Sequence, residues 1–156
     1  MIARIENIEE IKPIFKEYLA YMSQFFVTDN YDSWCEGALK SLRLYSIKED
    51  RYIYTIRESD SIIGFAFINK HLRFNNDGFA VAEFYIRKDH ERKGYGRRLA
   101  EYVFALFPGN WEVAVTEKNK SARAFWKQVV SAYTHDKFVE KKKSSFSGNG
   151  FLFNNA

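Results

Sequence analysis

The chain has 156 residues, 46% hydrophobic and 28% charged, with a formal net charge of +4. That length suits one domain over residues 1–156 with a full core. No apolar run nears the ~20 residues of a membrane-spanning helix, and the lone Cys35 excludes an internal disulfide, so a cytoplasmic chain is expected. The modest positive excess fits a phosphate-rich ligand, nucleic acid or an acidic substrate.

Residues 2–5 are predicted as a short first strand. Asn7, with Glu10 three residues on, offers a helix start resembling a capping box. Ile8, Ile11, Phe15, Tyr18, Leu19 and Met22 then recur at helical spacing. Pro13 implies that this helix starts late or bends. A break at Thr28, Asp29 and Asn30 precedes a second helix over 31–44, with Trp34, Ala38, Leu39 and Leu42 inward. The period then changes. Residues 52–56 and 62–68 are strand formers joined by a turn at 58–61, a predicted hairpin. Asn75-Asn76-Asp77-Gly78 is a further turn. The apolar run 79–86 reads as a buried strand, followed by a glycine loop and a helix to Phe107 that Pro108-Gly109 closes. A short strand at 111–115, a helix at 119–130 and a final hairpin over 138–153, turning near Ser147-Gly148-Asn149-Gly150, complete an α/β (α+β) order βααβββαβαββ.

The junction Glu91-Arg92-Lys93-Gly94-Tyr95-Gly96-Arg97-Arg98 lies between a buried strand and an amphipathic helix. Free backbone N–H groups and the helix dipole make such a place an anion site. Downstream stands Asn119-Lys120-Ser121-Ala122-Arg123-Ala124-Phe125-Trp126. Together these motifs resemble the GCN5-related N-acetyltransferase (GNAT) superfamily. The first resembles its signature of Arg or Gln, two residues, Gly, one residue, then Gly or Ala. The second resembles its Asn-x-x-Ala-x-x-Phe-Tyr helix. The resemblance implies a mixed, mostly antiparallel sheet flanked by helices, acetyl-CoA as co-substrate without a metal, and direct acetyl transfer to an amine in a ternary complex.

It also implies roles. Glu83, a carboxylate inside an apolar strand, would be the general base, or else a structural carboxylate paired with a cation. Phe84, Tyr85 and Ile86 would present backbone groups to the pantetheine arm where the strand splays, commonly at a bulge. Arg92, Lys93, Gly94, Tyr95, Gly96 and Arg97 would hold the pyrophosphate. Asn119 would cap its helix, bond the pantetheine, or both. Trp126 stands where many members carry a tyrosine acid and would pack the core or wall the thioester pocket. Tyr133, read as following that helix, would replace the missing acid or pack the last hairpin. Glu91 departs from the signature, and its charge implies a side chain turned from the phosphates. Tyr18, Tyr21, Phe25, Phe26, Tyr31 and Trp34 would cradle a small-molecule or peptide amine, or else belong to the core. A homodimer is common in the superfamily. Two rival readings are a non-catalytic acyl-CoA-binding module and a nucleic-acid binder using Arg92, Lys93, Arg97, Arg98 and the run Lys141-Lys142-Lys143. Cations gathered on a glycine loop, rather than along a helix face, argue against the latter.

Overall fold

The computed structural model describes residues 1–26, 29–143 and 145–156. These form β1 (Ile2–Ile5), α1 (Lys12–Met22), α2 (Tyr31–Ile47), β2 (Tyr52–Glu58), β3 (Ser61–Asn69), β4 (Phe79–Ile86), α3 (Tyr95–Leu106), β5 (Asn110–Thr116), α4 (Lys120–Thr134), β6 (Val139–Lys143) and β7 (Phe146–Asn154). The α/β order is the expected one. The strands make one sheet ordered β1-β2-β3-β4-β5-β7-β6. Every neighbouring pair is antiparallel except β4–β5, which is parallel. Among the described residues no helix is long and apolar enough to cross a membrane.

The sheet separates two cores, as the two-residue period of strands requires. On one face α1 and α2 cover Ile53, Phe65, Phe67 and Tyr85, with Ile11, Phe15, Tyr18 and Leu42 packed down on them. On the other, α3 and α4 cover Ala66, Ile68, Val81, Val113 and Phe151 with Leu99, Val103, Phe104, Trp126 and Val130.

Strand β4 breaks the alternation. Opposite β3, Phe67 pairs with Glu83 and Ile68 with Val81, which leaves Ala82 as an extra residue. One inserted residue flips the parity of everything after it. Phe79 and Val81 therefore join the α3/α4 core, whereas Glu83 and Tyr85 face α1 and α2, with Phe84 and Ile86 turned back to α3 and α4. Without the bulge Glu83 would point into the α3/α4 core.

The parallel pair is short. Its register runs Phe79–Trp111, Ala80–Glu112 and Val81–Val113. Past Val81 and Val113 the strands part, at the C-terminal ends of both.

The first helix starts late, as Pro13 implied, while its cap and three further boundaries differ from expectation. Helix α1 starts at Lys12 with Pro13 in its first turn, where a missing N–H costs nothing. Asn7 accepts a bond from the Glu9 N–H (3.1 Å) in a local turn rather than capping α1. Helix α2 runs to Ile47, and Asn30 caps it by accepting from the Ser33 N–H (3.0 Å); the predicted break at Thr28 lies outside the described residues. Helix α4 continues through Tyr133 to Thr134, and His135 ends it in the left-handed region at φ 52°. The last hairpin turns between Lys143 and Phe146, not at residues 147–150, which lie inside β7.

The glycines of that stretch serve close packing instead. A Cβ on Gly150 would lie 2.3 Å from the Phe74 ring, and one on Gly148 would lie 2.0 Å from the Val115 carbonyl oxygen. Because that second contact is backbone, it cannot swing aside. Gly148→Ala is expected to lower stability by about 1–3 kcal/mol or more, measured as a drop in the urea midpoint; an unchanged midpoint would refute the packing role.

Candidate functional site

A cleft of about 1690 Å³ follows the parting of β4 and β5, from the N-terminus of α3 to the space under α1 and α2. One wall is β4 from Val81 to Ile86 and the other is β5 from Val113 to Thr116. The facing edges of these strands are not paired with each other beyond Val81 and Val113. Such an edge offers N–H and C=O groups to a narrow, amide-bearing ligand. Phe84, Tyr85 and Ile86 lie on it.

At the α3 end the chain makes a 3₁₀ turn, Lys88–His90, and enters the helix through Gly94 at φ 85°, with no side-chain cap. Arg92 also has a positive φ, 62°. The first intrahelical bond at this end runs from the Arg98 N–H to the Gly94 carbonyl (3.1 Å), so the earlier N–H groups have no intrahelical partner. Gly96 is buried, and a Cβ on it would sit 3.0 Å from the Phe125 ring. Glycine there lets the tip of α3 press against α4. Arg92, Gly94, Gly96 and Arg97 line the cleft; Lys93 and Tyr95 do not. The Tyr95 hydroxyl instead donates to Glu58 (2.6 Å). Arg97 pairs with Glu101 (2.8 Å) on the helix surface, a weak exposed pair that an anion can displace. Glu91 is exposed at the mouth, and its charge reaches Tyr85 on the α1 side, adding to the upward push on that phenol.

Glu83 stands where the cleft passes under α1. The Tyr18 hydroxyl donates to its Oε2. Burial raises the Glu83 carboxyl from 4.5 to about 7, against the pull of the Tyr18 bond in the other direction. Burial, followed by the adjacent Glu83 charge, pushes the Tyr18 phenol well above 10, so it stays a donor. Tyr85 is raised to about 12, first by burial and then by Glu17. Its hydroxyl donates to Glu17 (3.2 Å), which also pairs with Arg87 (3.2 Å). Glu83 has no cation partner among the described residues. The pairing that the sequence left open is thus with a phenol.

From α4, Asn119 caps its own helix, its Oδ1 accepting from the Ala122 N–H (3.1 Å). It also lines the cleft, where its amide nitrogen has no partner among the described residues. Trp126 meets Phe84 edge-on at 4.7 Å and walls the cleft while 5% exposed. Tyr133 does not reach it. Its ring packs between Phe104 (5.2 Å) and Phe153 (5.8 Å), and its hydroxyl accepts from the Asn155 amide (3.1 Å). The geometry therefore favours its packing role, one helical turn beyond Val130 on the core face of α4.

Of the aromatic residues suggested for an acceptor surface, Tyr21, Phe25, Phe26 and Trp34 line the α1/α2 wall. Tyr18 forms the floor beside Glu83, and Tyr31 lies outside. The same cleft is lined by Arg73 and Phe146, which sequence reasoning did not single out. Both sit where no periodic pattern marks them, one in a loop and one at a hairpin turn.

Residues 14–129 match the family described as Acetyltransferase (GNAT) family. An acetyltransferase of Thermus thermophilus superposes with a TM-score of 0.70 at 15% identity, covering 99% of this chain and 97% of its own. An acetyltransferase of the GNAT family from Staphylococcus aureus gives 0.68 at 16% identity, with 100% of both chains covered. The PaiA N-acetyltransferase of Thermoplasma acidophilum, in complex with coenzyme A, gives 0.67 at 14%, with 99% of both covered. No curated protein matches the sequence.

The Glu83–Tyr18 pair makes a titration the direct check. Carboxyl-carbon NMR should place the Glu83 midpoint near pH 7. Tyr18→Phe removes a donor to the charged form and should move it higher still; a midpoint at the ordinary 4.5 would refute the buried-carboxyl description. Because the folded value lies above the ordinary one, this group's stabilisation is full below pH 4.5 and fades as pH rises through about 7. Glu83→Gln should flatten that part of the stability–pH curve.

Proposed function

The chain belongs to the GNAT acetyltransferase family, and on that premise we propose that it is an acetyl-CoA-dependent N-acetyltransferase using Glu83 as general base. The observation that carries the proposal is a carboxyl raised to about 7, held by Tyr18, at the point where the cleft between β4 and β5 opens toward α1 and α2. A base poised near working pH both accepts a proton readily and is substantially ionised.

The residues present fit the co-substrate. The backbone at Arg92–Arg97 and the α3 dipole would hold the pyrophosphate, with Gly94 supplying the left-handed entry. The open edge at Phe84–Ile86 and the Asn119 amide would bond the pantetheine. Trp126 and Phe84 would exclude water from the arm. The thioester supplies the activated acetyl group. The acceptor ammonium first gives one proton to solvent, and Glu83, directly or through one water, takes the second as the neutral amine attacks. A C–N bond forms to the acetyl carbon, the C–S bond breaks, and the electron pair leaves on sulfur. Backbone N–H groups of the β4 edge would donate to the developing oxyanion. Since the Tyr133 hydroxyl is engaged with Asn155 outside the cleft and Trp126 offers no acidic proton, solvent returns the proton to the thiolate, whose ordinary pKa of about 8.5 makes it an undemanding leaving group.

The test joins calorimetry with acetyl-CoA to thiol release against a panel of amines. The wild type should bind acetyl-CoA and show an amine-dependent rate that rises with pH through about 7. Glu83→Gln should keep acetyl-CoA binding and lose about 10²–10⁴ in kcat. Binding without amine-dependent release at any pH would favour the non-catalytic acyl-CoA module instead.

A further inference from the structure

The loop joining β3 to β4 has no part in the proposed transfer step, yet three separate contacts hold it down. Glu112 on β5 is 1% exposed. Its carboxylate accepts the backbone N–H groups of Arg73 (2.6 Å), Phe74 (3.2 Å) and Asn75 (2.9 Å). A buried carboxylate is costly unless it is bonded in this way, so the loop and the charge stabilise each other. Phe74 rests on Gly150, where a Cβ would leave no room for its ring. Lys143 donates to the Arg73 carbonyl (2.5 Å). The loop lies on the side of β5 away from Trp111 and Val113, so it shares a face of the sheet with α1, α2 and Glu83.

What this tethered loop presents to the cleft is a guanidinium. The Arg73 Cζ lies 4.5 Å from the centroid of the Phe146 ring, and both residues line the cleft. Stacking keeps a guanidinium's donors free at its rim. Among the described residues no carboxylate pairs with it, and the nearby Lys143 is a second cation. The Glu112 charge beneath is occupied by the backbone. Glu91 and His90 also line the cleft, on the segment that leads into the α3 loop, and at the end of β5 it is lined by Lys118 and by Glu117, whose carboxylate pairs with Lys142 (3.5 Å) rather than with Arg73. The cleft therefore holds the buried Glu83 carboxyl, a stacked guanidinium with no carboxylate partner among the described residues, and the aromatic rings of α1 and α2.

We propose that Arg73 binds an anionic group of the acceptor, so that the acceptor class is a primary amine that also carries a carboxylate or phosphate. This rests on the transfer reading above: the amine lies at Glu83, and the bonds made and broken are those already given. Arg73 touches the substrate without joining the chemistry, and Glu112 is its positioning residue.

Matched pairs of acceptors test it. Initial rates with acetyl-CoA are compared for free amino acids against their carboxamides, and for phosphoethanolamine against ethanolamine, which separates carboxylate from phosphate as the anion. The wild type should favour the anionic member of at least one pair about tenfold to a hundredfold in kcat/KM, the range of a charge-assisted contact. Arg73→Gln should collapse that ratio, mainly through KM, and Arg73→Lys should fall between. If amines are acetylated with no anionic preference, or the ratio survives Arg73→Gln, the inference is overturned and the transfer reading stands. If acetyl-CoA binds but none of these amines is acetylated, the transfer reading fails and the inference with it.

Discussion

The parallel pairing of β4 with β5 ends at Val81 and Val113, and the rest of the site depends on that short ladder. A longer one would close the sheet across its middle and leave no slot. Packing holds the two strands apart past that point. Phe84 and Ile86 turn toward α3 and α4 and are fixed there, Phe84 against Trp126 and Phe125. Gly96 lets the start of α3 close onto Phe125, so that the helix terminus aims its free N–H groups along the same slot. The bulge at Ala82 completes the arrangement by sending Glu83 to the opposite face. The free terminus of α3 and the buried Glu83 carboxyl thus lie along a single cleft.

The electrostatics follow from this placement. Cations at Arg92 and Arg97 sit at the exposed mouth, where a polyanion gains attraction and loses little solvation. The carboxyl sits deep, where burial works against charge and holds it near neutrality. Tyr18 offsets part of that burial by donating a hydrogen bond, keeping the group close to working pH. The aromatic clustering of α1 around Phe65 and Tyr85 therefore has a chemical consequence beyond packing, because it sets how hard Glu83 is to ionise.

Local features of the sequence are good guides to the elements. Strand formers, turn residues and the two glycine- and Asn-headed motifs give all the strands and helices in their order, although the turn read at residues 147–150 falls inside β7. Glu83 stands out because a carboxylate inside an apolar strand demands a partner. Its partner is not legible: Tyr18 lies 65 residues away and carries no mark distinguishing it from other core aromatics. The same holds for Glu112, whose partners are backbone N–H groups of a loop, and for Arg73, whose stacking on Phe146 exists only once the hairpin and the loop meet. Gly148 and Gly150 look like a turn in sequence but answer to close backbone and ring contacts within β7. Tyr133 is ambiguous in sequence because its role depends on where α4 ends, and helix ends are the least determined by local pattern. Tertiary contacts decide such cases.

Central to this account is that one slot, opened between β4 and β5 and headed by α3, receives the coenzyme. Backbone amide shifts during titration with coenzyme A test it most directly. The account predicts that the largest changes fall at Glu83–Ile86, at Arg92–Arg97 and at Asn119, with little change on the outer strands β1 and β6. Changes confined to Lys141–Lys143, or no saturable change, would contradict it.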